Sequence, residues 1–196
     1  SLMQTPASVA EHFEPATVTA RRTILDAIAS GRSMLTEPEA KSVLTAYALP
    51  VVETRVATDP GNAVQAAIAL AFPVALKILS PDISHKTEVG GVMLNVRDAT
   101  GIEAALTTLR ANLAAHAPGV PCDQVLVQPM CKGLGEVLLG YRVDAEAGPI
   151  VMLAAGGMWA EVARDRSLRL APVTLEAARE MISEVRALKT LTGLRG

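Results

Sequence analysis

The 196-residue chain carries 18 basic and 20 acidic side chains, is half hydrophobic and only 3% aromatic. That length can bury a substantial core as one domain or two small lobes. A formal net charge of −2 excludes attachment to a nucleic-acid backbone by bulk charge, and the scarcity of aromatics excludes a base-stacking platform. Any nucleotide it binds should be a small one. Cys122 and Cys131 stand at no metal-type spacing from each other or from His12, His85 and His116. The apolar stretch 66–76 is interrupted by Pro73 and too short to span a bilayer, and no leader pattern opens the sequence. These features point to a reduced, cytoplasmic protein with no nucleic-acid and no membrane partner.

Residues 1–34 read as a polar, proline-marked lead-in with one short helix through Ile24, Leu25 and Ile28. Thr36-Glu37-Pro38-Glu39 predicts a capping box, followed by a helix that ends at Pro50 and turns Ala40, Val43, Leu44 and Tyr47 to one face. A weak strand is expected over 51–57, and Asp59-Pro60 should cap a helix with Val64, Ala67, Ile68 and Ala71 in its apolar stripe. A strand through Lys77, a loop and a strand over 92–96 come next. Ile102, Ala105, Leu106, Leu109 and Leu113 then share one face of a helix. From Val125 the pattern changes to strands over 125–130, 136–143, 150–155 and 158–163, closed by a helix from Thr174 with Ala178, Met181, Ile182 and Val185 inward. The expectation is an α+β protein of two small α/β lobes, 35–124 and 125–196, sharing a cleft.

Lys77 lies inside an apolar run of strand length, where an ammonium is costly unless an anion compensates it. Either it meets a fixed negative partner or it sits on an edge strand and reaches water along its stem. The following loop, 80–92, adds His85, Lys86 and Gly90-Gly91, whose backbone can approach a ligand closely or take positive φ. Lys86-Thr87 lacks the glycine spacing of a P-loop. A histidine can accept a phosphoryl group when a carboxylate orients it, and Asp82 and Glu88 are near enough in sequence. Strand alternation groups Glu136, Leu138, Gly140, Arg142 and Asp144 on one face, a ligand face or a solvated one. Glu161 and Asp165 could bridge a cation or be surface charges, and Gly156-Gly157 marks a turn first and a ligand approach second.

The order of these pieces resembles the ATP-grasp domain of the nucleoside-diphosphate-forming acyl-CoA synthetases, relatives of succinyl-CoA synthetase β chains. The resemblance rests on 35–41 (Leu-Thr-Glu-Pro-Glu-Ala-Lys), Leu76-Lys77-Ile78, the loop 80–92, Val127-Gln128-Pro129-Met130, Gly135-Glu136-Val137, 148–152 and the run from Gly156-Gly157 to Pro172. It implies an ATP-grasp fold whose two lobes enclose a nucleotide cleft. By that likeness Lys77 contacts the phosphates of ATP or ADP, and Ser84, His85, Lys86 and Thr87 form a flexible phosphate cover. Gln128, Met130 and Cys131 form the adenine hinge, and Glu136 stands at the ribose. His85 matches a loop histidine that carries phosphate in ADP-forming members, whose reaction interconverts acyl-CoA, phosphate and ADP with acid, CoA and ATP.

The same likeness places magnesium ligands after Gly196, so the expectation is a fold truncated at its C-terminal end, Mg2+ held from outside this chain, and no turnover by the piece alone. It also implies a CoA-binding domain or subunit as partner in a larger acid-thiol ligase. Ala154-Ala155-Gly156-Gly157 departs from the family's Gly-x-Gly-Gly. The competing reading is a non-catalytic regulatory module of a protein acetyltransferase fusion, which would not need His85 as a nucleophile.

Overall fold

The computed structural model describes residues 14–83, 85–157 and 165–191. Ser84, Trp159 and Glu161, and the strand expected over 158–163, lie outside them. The described residues fall into two compact units, one over Glu14–Cys131 and one from Lys132 onward.

The first unit begins with α1 (Thr17–Ala29) and α2 (Glu37–Ala46), which pack on each other. The capping box is present: the Glu39 carboxylate accepts from the Thr36 amide at 2.7 Å and is also held bidentately by Arg32. The helix stops before Pro50, at Ala46, and Ala48 turns out of it with φ 52°. Next come β1 (Arg55–Ala57), α3 (Pro60–Leu70), β2 (Val74–Ile78), β3 (Val92–Val96), α4 (Ala99–His116) and β4 (Val125–Pro129). Asp59 caps α3 by accepting from the Asn62 amide at 2.8 Å, and Asp98 caps α4 through the Gly101 amide at 2.7 Å.

The four strands form an antiparallel sheet in the order β1-β4-β2-β3. β4 was expected to open the second lobe; its register with both β1 and β2 makes it an interior strand of the first. Lys77 therefore lies on an interior strand, which excludes the edge-strand reading. The face carrying Val74, Leu76, Ile78, Val125 and Val127 packs under α3 and α4. All five residues of the predicted α4 stripe are buried. α3 buries the expected Ala67 together with Ala63 and Ala66, and leaves Ile68 58% exposed. Alanines let the helix backbone approach the sheet closely, and a bulky residue would hold it off.

The second unit is an antiparallel meander of β5 (Val137–Asp144), β6 (Gly148–Ala155) and β7 (Arg166–Leu170), with α5 (Leu175–Glu184) and α6 (Arg186–Leu191). Thr174 caps α5 by accepting from the Ala177 amide at 3.1 Å. Met181 and Val185 are buried as expected, but Ile182 faces outward. β7 was not anticipated. Its arginines serve packing as well as solvent, since Arg169 grips Glu184 with Nη2 to Oε1 at 2.6 Å. Ala155, Val185, Leu188 and Leu153 form the small core.

Gly90 and Gly91 connect the loop to β3. Gly90 has φ +63°, and its carbonyl accepts from the Asn112 side chain at 2.9 Å. A Cβ on Gly91 would stand 2.5 Å from Ile78 Cδ1 and 2.9 Å from the Lys86 carbonyl oxygen. The close approach that the pair permits is to the protein's own core and loop. Gly91→Ala is expected to destabilise the first unit by about 1–3 kcal/mol, the usual cost of overpacking, read as a lower urea midpoint with an unchanged m-value.

Candidate functional site

Alternation along β2 turns Lys77 and Ala75 away from the helix-covered core. The β2–β4 register sets Ala75 beside Gln128 and Lys77 beside Leu126, so Lys77 and Gln128 share a face. There they meet Glu37, the first helical residue of α2. Glu37 Oε1 lies 3.2 Å from Lys77 Nζ and 3.3 Å from Lys41 Nζ, and it accepts a short hydrogen bond from the Gln128 amide. Glu37 Oε2 lies 3.7 Å from Lys86 Nζ. All four charged side chains are 16–27% exposed. The fixed negative partner that Lys77 requires is thus a residue forty positions earlier in the chain.

Burial pushes the Glu37 carboxyl up, but the Gln128 hydrogen bond and the charges of Lys77 and Lys41 outweigh it and hold the group at about 2. It is therefore ionised throughout the neutral range. One carboxylate faces three ammonium groups, and the cluster keeps an excess of positive charge. Glu37 and Lys41 were not singled out from the sequence, where Glu37 reads as part of the cap. The available signal was the four-residue Glu-to-Lys spacing on one helix.

Lys86 reaches this cluster because its loop is pinned. Ile83 is buried in the core, the Gly91 amide donates to the Lys86 carbonyl at 2.7 Å, and Gly90 is held by Asn112. Thr87 is exposed, and its carbonyl accepts from the Gly90 amide at 3.1 Å. His85 is exposed too, with Nδ1 3.9 Å from Glu88 Oε1, too long for a hydrogen bond. The carboxylate beside it is that of Glu88; Asp82 instead shapes the turn, donating its amide to Ser80 Oγ at 3.2 Å.

Of the residues expected at the hinge, Gln128 donates from its side-chain carboxamide to Glu37, and the Met130 backbone amide donates to the Pro73 carbonyl at 3.1 Å. The Met130 amide is therefore not open to read a base edge. Cys131 is exposed at the end of the first unit.

In the second unit Glu136 is exposed, and Gly156-Gly157 form its seat. The Gly156 amide donates to the Glu136 carbonyl at 2.8 Å, and a Cβ on Gly156 would stand 2.8 Å from Glu136 Cβ. Gly157, with φ +74°, would bring a Cβ within 3.2 Å of Glu136 Oε2. Asp165 is engaged by the backbone, and Glu161, read beside it from the sequence, lies outside the described residues. The Asp165 carboxylate accepts from the Arg186 and Ala187 amides at 3.0 and 2.8 Å and so caps α6, and hydrogen bonds from Ala187 and then Arg186 hold its carboxyl low. Among the described residues no group of three His, Cys, Asp or Glu side chains is placed to hold a metal. The described residues do not by themselves fit a magnesium site. No described helix is long and apolar enough to cross a membrane.

The ATP-grasp domain profile matches residues 26–196. The β subunit of acetate–CoA ligase (ADP-forming) II from Pyrococcus furiosus is 36% identical over 177 residues, 90% of this chain and 75% of its own length. The acetate–CoA ligase (ADP-forming) I of Archaeoglobus fulgidus is 39% identical over 81% of this chain, which spans 23% of that longer protein. The dinucleotide-forming acetyl-coenzyme A synthetase 1 of Ca. Korarchaeum cryptofilum, crystallised with coenzyme A, Ca-AMPCP and HgCl+, superposes with a TM-score of 0.85 at 38% identity, covering 90% of this chain and 77% of that one. Another crystal of that synthetase, with coenzyme A and Mg-AMPPCP, is described with its phosphohistidine segment pointing towards the nucleotide binding site.

A carboxyl held at about 2, against an ordinary value of 4.5, stabilises the fold at every pH above the ordinary value. That contribution is lost as the pH falls from 4.5 towards 2. The Glu37 carboxyl carbon should titrate by NMR with a midpoint near 2. In Glu37→Gln the loss of urea stability over this acid range should be shallower than in the wild type.

Proposed function

The chain belongs to the ATP-grasp domain family, and we propose that it is the nucleotide-binding domain of an ADP-forming acyl-CoA ligase. In this reading the polyphosphate of ATP or ADP is bound by Lys77 and Lys86 of the first unit, with Ser84 and Thr87 in the same loop. The base is met by the backbone near Met130 and Cys131 that remains uncommitted. The observation that carries the reading is the half-buried lysine cluster at Glu37, built from a helix, an interior strand and the loop. Its excess of positive charge suits a ligand with several negative charges. The relatives named above, acetate–CoA ligases described as ADP-forming, supply the class of reaction.

His85 is the proposed phosphoryl carrier. A neutral imidazole nitrogen attacks the γ-phosphorus of ATP, a P–N bond forms, the P–O bond to the β-phosphate breaks, and ADP leaves. The reverse step returns the phosphoryl group to ADP. The exposure of His85 and the nearby Glu88 carboxylate support this role, as does the phosphohistidine segment described for the Korarchaeum enzyme. A CoA-binding domain or subunit is the expected partner, and acetate or another small acid the expected acyl class.

Removing one charge-assisted phosphate contact costs about 1.5–3 kcal/mol, or about tenfold or more in affinity. Lys77→Ala should therefore bind ATP about tenfold or more weakly in calorimetric titration, and equal affinity would remove Lys77 from the site. Incubation of the chain, joined to its CoA-binding partner, with γ-labelled ATP should leave an acid-labile, base-stable label that is absent from His85→Asn. Nucleotide binding with no label on the wild type would favour a regulatory module over a carrier.

A further inference from the structure

We propose that Glu37 is a positioning residue that assembles the ammonium groups of Lys41, Lys77 and Lys86 into one polyphosphate-binding cluster, in which Lys41 is an additional cationic contact. The inference rests on the nucleotide reading and deepens it.

The three lysines come from α2, β2 and the loop, and the atom group at which they converge is the Glu37 carboxylate. Each lysine stem has four rotatable bonds, whose freedom is lost when its ammonium is fixed. A ligand that had to gather three of them would lose affinity for each one it ordered. Glu37 gathers them beforehand. Its own place is set by the start of α2 and by the Gln128 amide, and Lys41 is held a second time by a hydrogen bond to Thr54 Oγ1. The carboxylate is thus anchored from its own backbone and from the sheet.

A carboxylate in a phosphate site could instead be a competitor that the ligand must displace. The stoichiometry argues otherwise. Each ammonium has three donors, and the contact with Glu37 uses one of them. Lys41 spends a second on Thr54, which leaves donors on all three groups for phosphate oxygens. One negative charge against three positive ones leaves an excess of two, which favours an anionic ligand. Glu37 and the ligand then bind the same ammonium groups from different sides.

The test is a titration series of adenosine, AMP, ADP and ATP into wild type, Glu37→Gln, Glu37→Asp and Lys41→Gln, followed by protein NMR, with the lysine ammonium signals read in parallel. Glu37→Gln should bind ATP and ADP about tenfold more weakly, or about 1.4 kcal/mol, with adenosine affinity unchanged. Its lysine ammonium signals should broaden through faster exchange with water. Glu37→Asp, which keeps the charge on a shorter stem, should recover part of the loss, and Lys41→Gln should weaken ATP with no effect on adenosine. ATP binding to Glu37→Gln as tight as or tighter than to wild type would make Glu37 a competitor and overturn the proposal. Equal weakening of adenosine and ATP would reduce Glu37 to a purely structural role and overturn it too. A folded Lys41→Gln that binds ATP like the wild type removes Lys41 from the cluster. Failure of the wild type itself to bind ATP overturns the nucleotide reading, and this inference with it, and is a separate result from a wild type that binds and a Glu37→Gln that binds equally.

Discussion

A half-buried lysine on an interior strand is tolerable only beside a carboxylate, and the pairing of Lys77 with Glu37 shapes much of the first unit. It requires α2 to start where Glu37 faces the sheet, which the capping box at Thr36 and Glu39 secures. It requires β4 to lie next to β2 so that Gln128 can donate to the same oxygen. It also brings the loop to the sheet, since Lys86 finds its counter-charge there. The Coulomb attraction is strengthened by partial exclusion of water, and the desolvation it costs is met by several partners.

The two glycine pairs show how much a site depends on space left for the protein itself. Gly90-Gly91 admit Ile78, Lys86 and Asn112, and Gly156-Gly157 admit the backbone and carboxylate of Glu136. In each case a Cβ would push on a neighbouring backbone or side chain that the glycines now leave room for. The departure Ala154-Ala155 before the second pair falls within β6, so the two glycines that seat Glu136 are kept.

What could be read from the residues in order divides along the range of the contacts. Local signals held: the box at Thr36, the caps at Asp59 and Thr174, and the five-residue stripe of α4 each depend on neighbours within a few turns. The buried face of α3 was read in part: Ala67 is buried as expected, while Ala63 and Ala66 were passed over and Ile68 faces outward, because alanine contributes little to an apolar pattern. β4 was assigned to the wrong lobe because a strand's partners are not encoded in the strand. Lys77 announced a need for a negative charge, but the identity of that charge is a long-range fact. Met130 shows the same limit, since its amide is taken by Pro73, a partner that spacing does not suggest.

The pinning of the loop sets a reach for His85. Ile83 is fixed in the core two residues before it, and Lys86 is fixed one residue after it. At about 3.3–3.6 Å per extended residue, the His85 backbone is tethered within roughly 7 Å of one anchor and 4 Å of the other. While both anchors hold, so short a leash limits how far the His85 backbone can move. A larger displacement requires Lys86 to leave Glu37, so the mobility of this segment is tied to the charge balance of the lysine cluster.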